Sequence, residues 1–139
     1  MNQVAFRGTL IVLAHMIVLF GHGAAHSHLQ VKPSHWQQSF IEIVIVAAPV
    51  VAAFLLWTRW RKPGIILLGV SLGSSFLFGL YYHFFAGGTD SALNPIHSHW
   101  NLLFSVTAVL LALVEITGCV WCIIPRRYFW NSALKAIES

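Results

Sequence analysis

The sequence predicts an all-α fold: an integral membrane four-helix bundle with both termini inside and a short interfacial helix at its C-terminal end. Three observations predict it. Hydrophobic residues make up 58% of the 139 positions and charged residues 9%; a soluble domain carries about 25% charged residues, so this chain cannot cover a water-facing surface. The apolar residues fall into runs long enough to cross a hydrocarbon core, which takes ~20 helical residues, and polar connectors separate the runs. The net charge of +4 sits in short clusters between those runs, the pattern that orients membrane helices. It does not form a basic face, so nucleic acid is not a partner.

At this length residues 1–139 make a single transmembrane domain. The first span covers about 6–28, with an apolar heart from Thr9 to Phe20. A signal peptide ending at Gly23-Ala24-Ala25 is the competing reading, but His15 and His22 interrupt its apolar region, so a retained helix is expected. Lys32-Pro33-Ser34 marks the connector to span two, about 39–57, which closes at Arg59, Arg61, Lys62 and the breaker Pro63-Gly64. Span three covers about 65–85. Gly87 to Ser91 opens the next connector and Asn94-Pro95 closes it. Span four covers about 99–124, stopped by Pro125, and residues 126–139 follow as an interfacial tail.

Orientation follows from the connectors. Arg7, Arg59, Arg61, Lys62, Arg126, Arg127 and Lys135 fall on one side and Lys32 on the other; cytoplasmic loops carry such an excess. The expected location is an inner (plasma) membrane of bacterial or archaeal type, with the opposite face outside. On that outer face the sequence gathers histidines. Gly21-His22-Gly23-Ala24-Ala25-His26-Ser27-His28 ends span one, His83 ends span three, and His97 and His99 open span four.

Helix positions four apart share a face, so His22 and His26 point the same way. That pairing is a common means for one helix to offer two imidazoles to one ion. On span three, Gly69, Gly73, Phe76, Leu80 and His83 form one stripe, its glycines suited to close helix approach. On span four, His97, Asn101, Ser105, Ala108, Ala112 and Glu115 align, and on span two Glu42 lies near the outer end. The expected metal ligands are therefore His22, His26, His83, His97, His99 and Glu42, with His15, Asn101, Tyr82 and Glu115 as supporting or relay groups. Imidazole with carboxylate suits copper, iron or zinc, and no thiol lies at this layer. A haem b held between His22 or His26 and a histidine across the bundle is the alternative cofactor.

Each residue also has a plainer role. His28 and His35, near the connector, fit interfacial hydrogen bonding as well as ligation. His15 lies deeper and fits an interhelical hydrogen bond. Glu115 is either a neutral acid bonded to a neighbouring helix or a relay for a proton or cation, with His15 its candidate partner. Cys119 and Cys122 form a C-x-x-C without a second pair and read as structural thiols.

Two families share fragments of this pattern. His22 and His26 match the H-x-x-x-H that opens the histidine boxes of membrane fatty-acid hydroxylases and desaturases, but the later boxes are missing. They also match the end of D-x-x-x-H-x-x-x-H, the copper motif of particulate methane and ammonia monooxygenases, with Val18 in the aspartate position. Neither overlap names a family. The expected function is a metal-dependent membrane oxidoreductase, or a subunit of one within a homo-oligomer or larger complex. A haem electron carrier, a transition-metal transporter and a pH-sensing subunit are the competing functions, and no catalytic residue is assigned.

Overall fold

The computed structural model describes the backbone of residues 2–135 and the side chains of residues 2–88 and 90–123. Those residues form four long helices: α1 (Gln3–His28), α2 (His35–Leu56), α3 (Arg61–Phe85) and α4 (His99–Lys135). Each is long and apolar enough to cross a membrane, α4 over its His99–Ile123 portion. Among the described residues there is no β-strand. Consecutive helices pack against one another and α4 packs back on α1, which closes the bundle. Large apolar side chains such as Ile17, Phe20, Phe54 and Leu77 point outward, as a lipid-facing surface requires.

Helix starts explain where the sequence-based bounds shift. Ser34 starts α2 ahead of the expected position 39, its backbone N–H donating to Gln37 Oε1 at 2.6 Å in the manner of a capping box. Pro63 and Gly64 lie inside the first turn of α3 instead of breaking the chain before it. A proline there loses nothing, because first-turn N–H groups have no intrahelical partner. Pro125 likewise does not end α4, whose backbone continues to Lys135. The interfacial character expected of residues 126–139 rests on side chains outside the described residues.

Two irregularities prepare the polar interior. In α2 the segment Ile41–Ala47 widens into a π-helix just before Pro49. Proline supplies no N–H and crowds the carbonyl four residues earlier, here that of Ile45, and a wider turn relieves both problems. At the end of α1 the chain closes in a Schellman motif: Val31 N–H donates to His26 O at 3.1 Å and Gln30 N–H to Ser27 O at 3.3 Å. The left-handed position falls on Gln30, with φ of 56°, where glycine is the usual occupant. Gln30→Gly is therefore expected to raise stability by about 1 kcal/mol, measured as the shift in the denaturation midpoint in mild detergent.

The core has two apolar clusters. One, at the end of the bundle away from the histidines, holds Ala5, Val12, Leu56, Leu68, Leu72 and Cys122. The other holds Ala25, Ala92, Phe104 and Ala108. Gly118 lets this packing close, because a Cβ there would collide with Leu72 and lie 3.0 Å from Ile11 Cγ2. Cys119 and Cys122 are free thiols that sit against the glycine notches of α3: a Cβ at Gly73 would lie 3.6 Å from Cys119 Sγ, and one at Gly69 would lie 3.2 Å from Cys122 Cβ.

Candidate metal centre

His22 and His26 project from one face of α1 and meet His83 from the end of α3. Their ligand atoms all lie within 4.8 Å of one another. His22 Nε2 is 3.1 Å from His83 Nε2 and 3.2 Å from His26 Nε2. His22 is 4% exposed and His83 8%, and His26 is half-buried. Phe104 of α4 forms the platform beneath them, stacked on His22 at 4.8 Å between centroids and edge-on to His26 and His83 at 5.0 and 5.3 Å.

The other ring nitrogen of each histidine decides what the convergent atoms are. His26 Nδ1 faces Val31 O at 3.4 Å, the carbonyl that the Schellman turn brings over it. His83 Nδ1 faces Asp90 O at 3.0 Å. A carbonyl only accepts, so His83 Nδ1 carries the proton, whereas His26 meets an acceptor at 3.4 Å on each nitrogen, Val31 O at Nδ1 and Asp90 Oδ1 at Nε2. His22 Nδ1 lies 2.9 Å from Thr107 Oγ1. That hydroxyl donates to Leu103 O at 2.6 Å, with Phe104 O at 3.1 Å, so toward His22 it accepts. A neutral imidazole protonated at Nδ1 has its lone pair at Nε2. The lone pairs of His22 and His83 therefore face each other across 3.1 Å, with His26 Nε2 3.2 Å from His22 Nε2. Such an arrangement is repulsive unless a cation sits among them.

The connector after α3 completes the group. Gly87 and Gly88 adopt φ of 70° and 81°, backbone that disfavours any residue with a Cβ. The turn carries Asp90 back over His83, and Ala92 N–H then donates to His83 O at 2.8 Å. Ser105 Oγ fastens the same connector to α4 through Ala92 O at 2.9 Å. Asp90 Oδ1 lies 3.2 Å from His83 Nδ1 and 3.4 Å from His26 Nε2, a carboxylate beside two of the three imidazoles.

Deeper in the bundle lies a second polar pair. Glu115 stands eight positions beyond Thr107 on α4, about 12 Å along a helix. Ser75 Oγ donates to Glu115 Oε1, and His15 Nδ1 is 3.6 Å from the same oxygen. His15 Nε2 donates to Ile45 O at 3.1 Å, the carbonyl that Pro49 leaves without its α-helical donor. One cavity of about 810 Å³ is lined both by the three histidines and by Ser75, Ala112 and Glu115.

Of the ligands expected from sequence, the structure brings together His22, His26 and His83. It leaves His97, His99 and Glu42 apart. His97 and His99 are exposed and His99 lies against Trp100 at 5.0 Å, because the connector ends before α4 turns inward. Glu42 faces outward and accepts from Gln38 Nε2 at 2.7 Å. Of the supporting groups, Tyr82 lines the cavity while packing on Phe78 at 4.7 Å, and His15 and Glu115 form the deeper pair. Asn101 is engaged in starting α4: its N–H donates to Ser98 Oγ at 3.2 Å and its Oδ1 accepts from Ser98 Oγ at 2.8 Å. His28 stacks on Trp100 at 3.7 Å and His35 is exposed. Sequence reasoning did not assign Asp90 to the site, although it is the carboxylate of a glycine-rich connector on the histidine side. Nor did it link Thr107 to His22.

Ser98→Ala is expected to cost about 1 kcal/mol by removing the cap of α4. Metal binding measured on the same protein should not change, because no atom of that cap reaches the three histidines. Compared with family models, with curated proteins and with solved structures, the chain finds no match.

Proposed function

We propose that the chain is a membrane metalloprotein whose His22, His26 and His83 hold one first-row transition metal ion through Nε2, and that it serves as a metal-dependent oxidoreductase or a subunit of one. The observation that carries this reading is the convergence of three imidazoles with ligand atoms within 4.8 Å of one another, two of them with Nε2 lone pairs fixed inward by Nδ1 bonds to Thr107 and to Asp90 O. Metal-binding histidines characteristically donate their second ring N–H to an oxygen in this way, which fixes the tautomer and raises ligand basicity. Imidazoles suit zinc, copper and iron, and three protein ligands leave a coordination position for substrate or water. Asp90 stands close enough to the trio to serve as a fourth ligand or as a base.

What favours a bare ion over a haem is ring contact: with its Nε2 3.1 Å from that of His83 and 3.2 Å from that of His26, His22 leaves no room for a macrocycle between itself and either neighbour. What favours chemistry at the site over passage through the bundle is the far end of the bundle, beyond the His15–Glu115 pair. Leu56, Leu68 and Leu72 are fully buried there and offer no ligand to an ion on its way inward. The excess of basic residues at the opposite ends of the helices supports an outward-facing site. The cavity beside the ion is lined by Leu19, Ile41, Phe78 and Leu111 as well as by polar groups, which suits a lipid-soluble substrate.

The test is metal analysis with an absorption spectrum on protein purified in mild detergent, alongside His22→Ala/His26→Ala. The expected result is one ion per chain in the parent protein and none in the double variant, with a redox-active ion selecting the oxidoreductase reading. Protein without metal that also fails to take up added Cu²⁺ or Zn²⁺ would remove that reading and leave a pH-sensing or structural role. Binding should also weaken as pH falls, because an Nε2 that holds the ion cannot hold a proton. A titration of bound ion against pH checks that sign.

A further inference from the structure

We propose that His15 and Glu115 form a separate site that holds a single exchangeable proton in the membrane interior. His15 Nε2 donates to Ile45 O at 3.1 Å, an acceptor that cannot donate in return, so Nε2 carries a proton. His15 Nδ1 therefore either presents a bare lone pair or holds a second proton. It is buried without a hydrogen-bond partner and lies 3.6 Å from Glu115 Oε1. The two side chains are closed off, with His15 0% and Glu115 3% exposed.

Consider the proton count between those two atoms. With none, a lone pair faces a carboxylate and the pair carries a net negative charge inside the membrane. With two, an imidazolium faces a neutral acid and the net charge is positive. With one, the pair is neutral wherever that proton resides: on Nδ1 as an ion pair, or on the carboxyl as an acid facing the imidazole. An unpaired charge at this depth is expensive, so the neutral count prevails. Moving the proton between Nδ1 and Glu115 leaves the total charge unchanged.

The neighbours support one proton and do not supply another. On α3, Ser75 donates its hydroxyl to Glu115 Oε1 and takes no proton from the pair. On α2 the facing group is the Ile45 carbonyl, with Pro49 one turn further on. On α4 the next titratable group is Cys119, whose Sγ lies 3.6 Å from Gly69 O. Across the cavity stand His22, His26 and His83. Glu115 lines that cavity and His15 does not, so exchange with the histidine face runs through the carboxyl. The atoms involved are separate from the imidazoles proposed to bind metal, so either proposal can fail without the other.

The test uses metal-free full-length protein in lipid vesicles, with ¹⁵N-histidine and ¹³C-carboxyl-glutamate labels. His15 is assigned by the resonance lost in His15→Gln, and Glu115 by the carboxyl band lost in Glu115→Gln. At neutral pH the expected result is one proton on the pair: either a His15 Nδ1–H with an ionised carboxyl, or a protonated carboxyl with Nδ1 displaced from the bare-imidazole position. Transfer to D₂O should shift that signal, and Glu115→Leu should return Nδ1 to the bare position. A bare Nδ1 beside an ionised carboxyl would overturn the proposal. So would a proton that does not exchange, or an Nδ1 resonance unaffected by Glu115→Leu. If the leucine variant does not fold, the parent spectra and the D₂O shift alone decide it.

Discussion

His83→Ala is expected to weaken transition-metal binding by at least ~100-fold, measured by competition with a chelator of known affinity. The reason is geometric. His22 and His26 lie on one helix and reach the common point together, whereas His83 is the ligand from α3 that closes it, with Nε2 3.1 Å from His22 Nε2. Without His83 the site is a two-histidine pair on one helix, with Asp90 left against His26 alone. Thr107→Val separates ligation from orientation. It removes the acceptor that holds His22 Nδ1–H at 2.9 Å while leaving all three imidazoles in place. Loss of such an outer partner typically costs about 10–100-fold in affinity, so Thr107→Val should fall between the parent and His83→Ala. Equal affinities in all three proteins would mean that these nitrogens do not hold the ion.

His15→Leu is expected to destabilise the fold by about 3–5 kcal/mol, the usual cost of leaving one member of a buried pair without its partner. Glu115 would keep the Ser75 hydroxyl but lose the imidazole that shares its charge, and Ile45 O would lose its donor. In the double variant His15→Leu/Glu115→Leu most of that loss should return, because replacing both members by apolar groups removes the uncompensated charge. Unfolding of the four proteins of this cycle in mixed detergent measures the coupling directly. Additive losses would show that the two side chains act independently.

The bundle was legible in the sequence because hydropathy and helix length alone dictate it: four apolar segments, each bounded by charge or a turn residue. Bounds were less legible at prolines. Pro63 and Pro125 read as stops, yet Pro63 falls in a first turn where its missing N–H has no consequence, and the α4 backbone runs through Pro125. The i, i+4 spacing of His22 and His26 made half of the histidine cluster readable. His83 was readable from the stripe it shares with Gly69 and Gly73.

Which histidines converge was not readable, because it depends on the order of helices around the bundle and on a connector. The reversal at Gly87 and Gly88 brings in Asp90, whereas the same connector leaves His97 and His99 outside. Thr107 could not be linked to His22 from sequence either, since 85 positions separate them and only helix packing joins them. His15 and Glu115 were paired on depth alone. The Ile45 carbonyl that orients His15 is set by Pro49, a link that becomes visible only once α1 and α2 are side by side.

The most direct measurement is X-ray absorption spectroscopy of the bound metal in purified protein, taken together with its stoichiometry. One ion per chain is expected, with three imidazole nitrogens at about 2.0–2.1 Å if the ion is zinc, and loss of one imidazole in His83→Ala. An ion whose first shell holds fewer than two imidazoles, or an unchanged shell in His83→Ala, would contradict it.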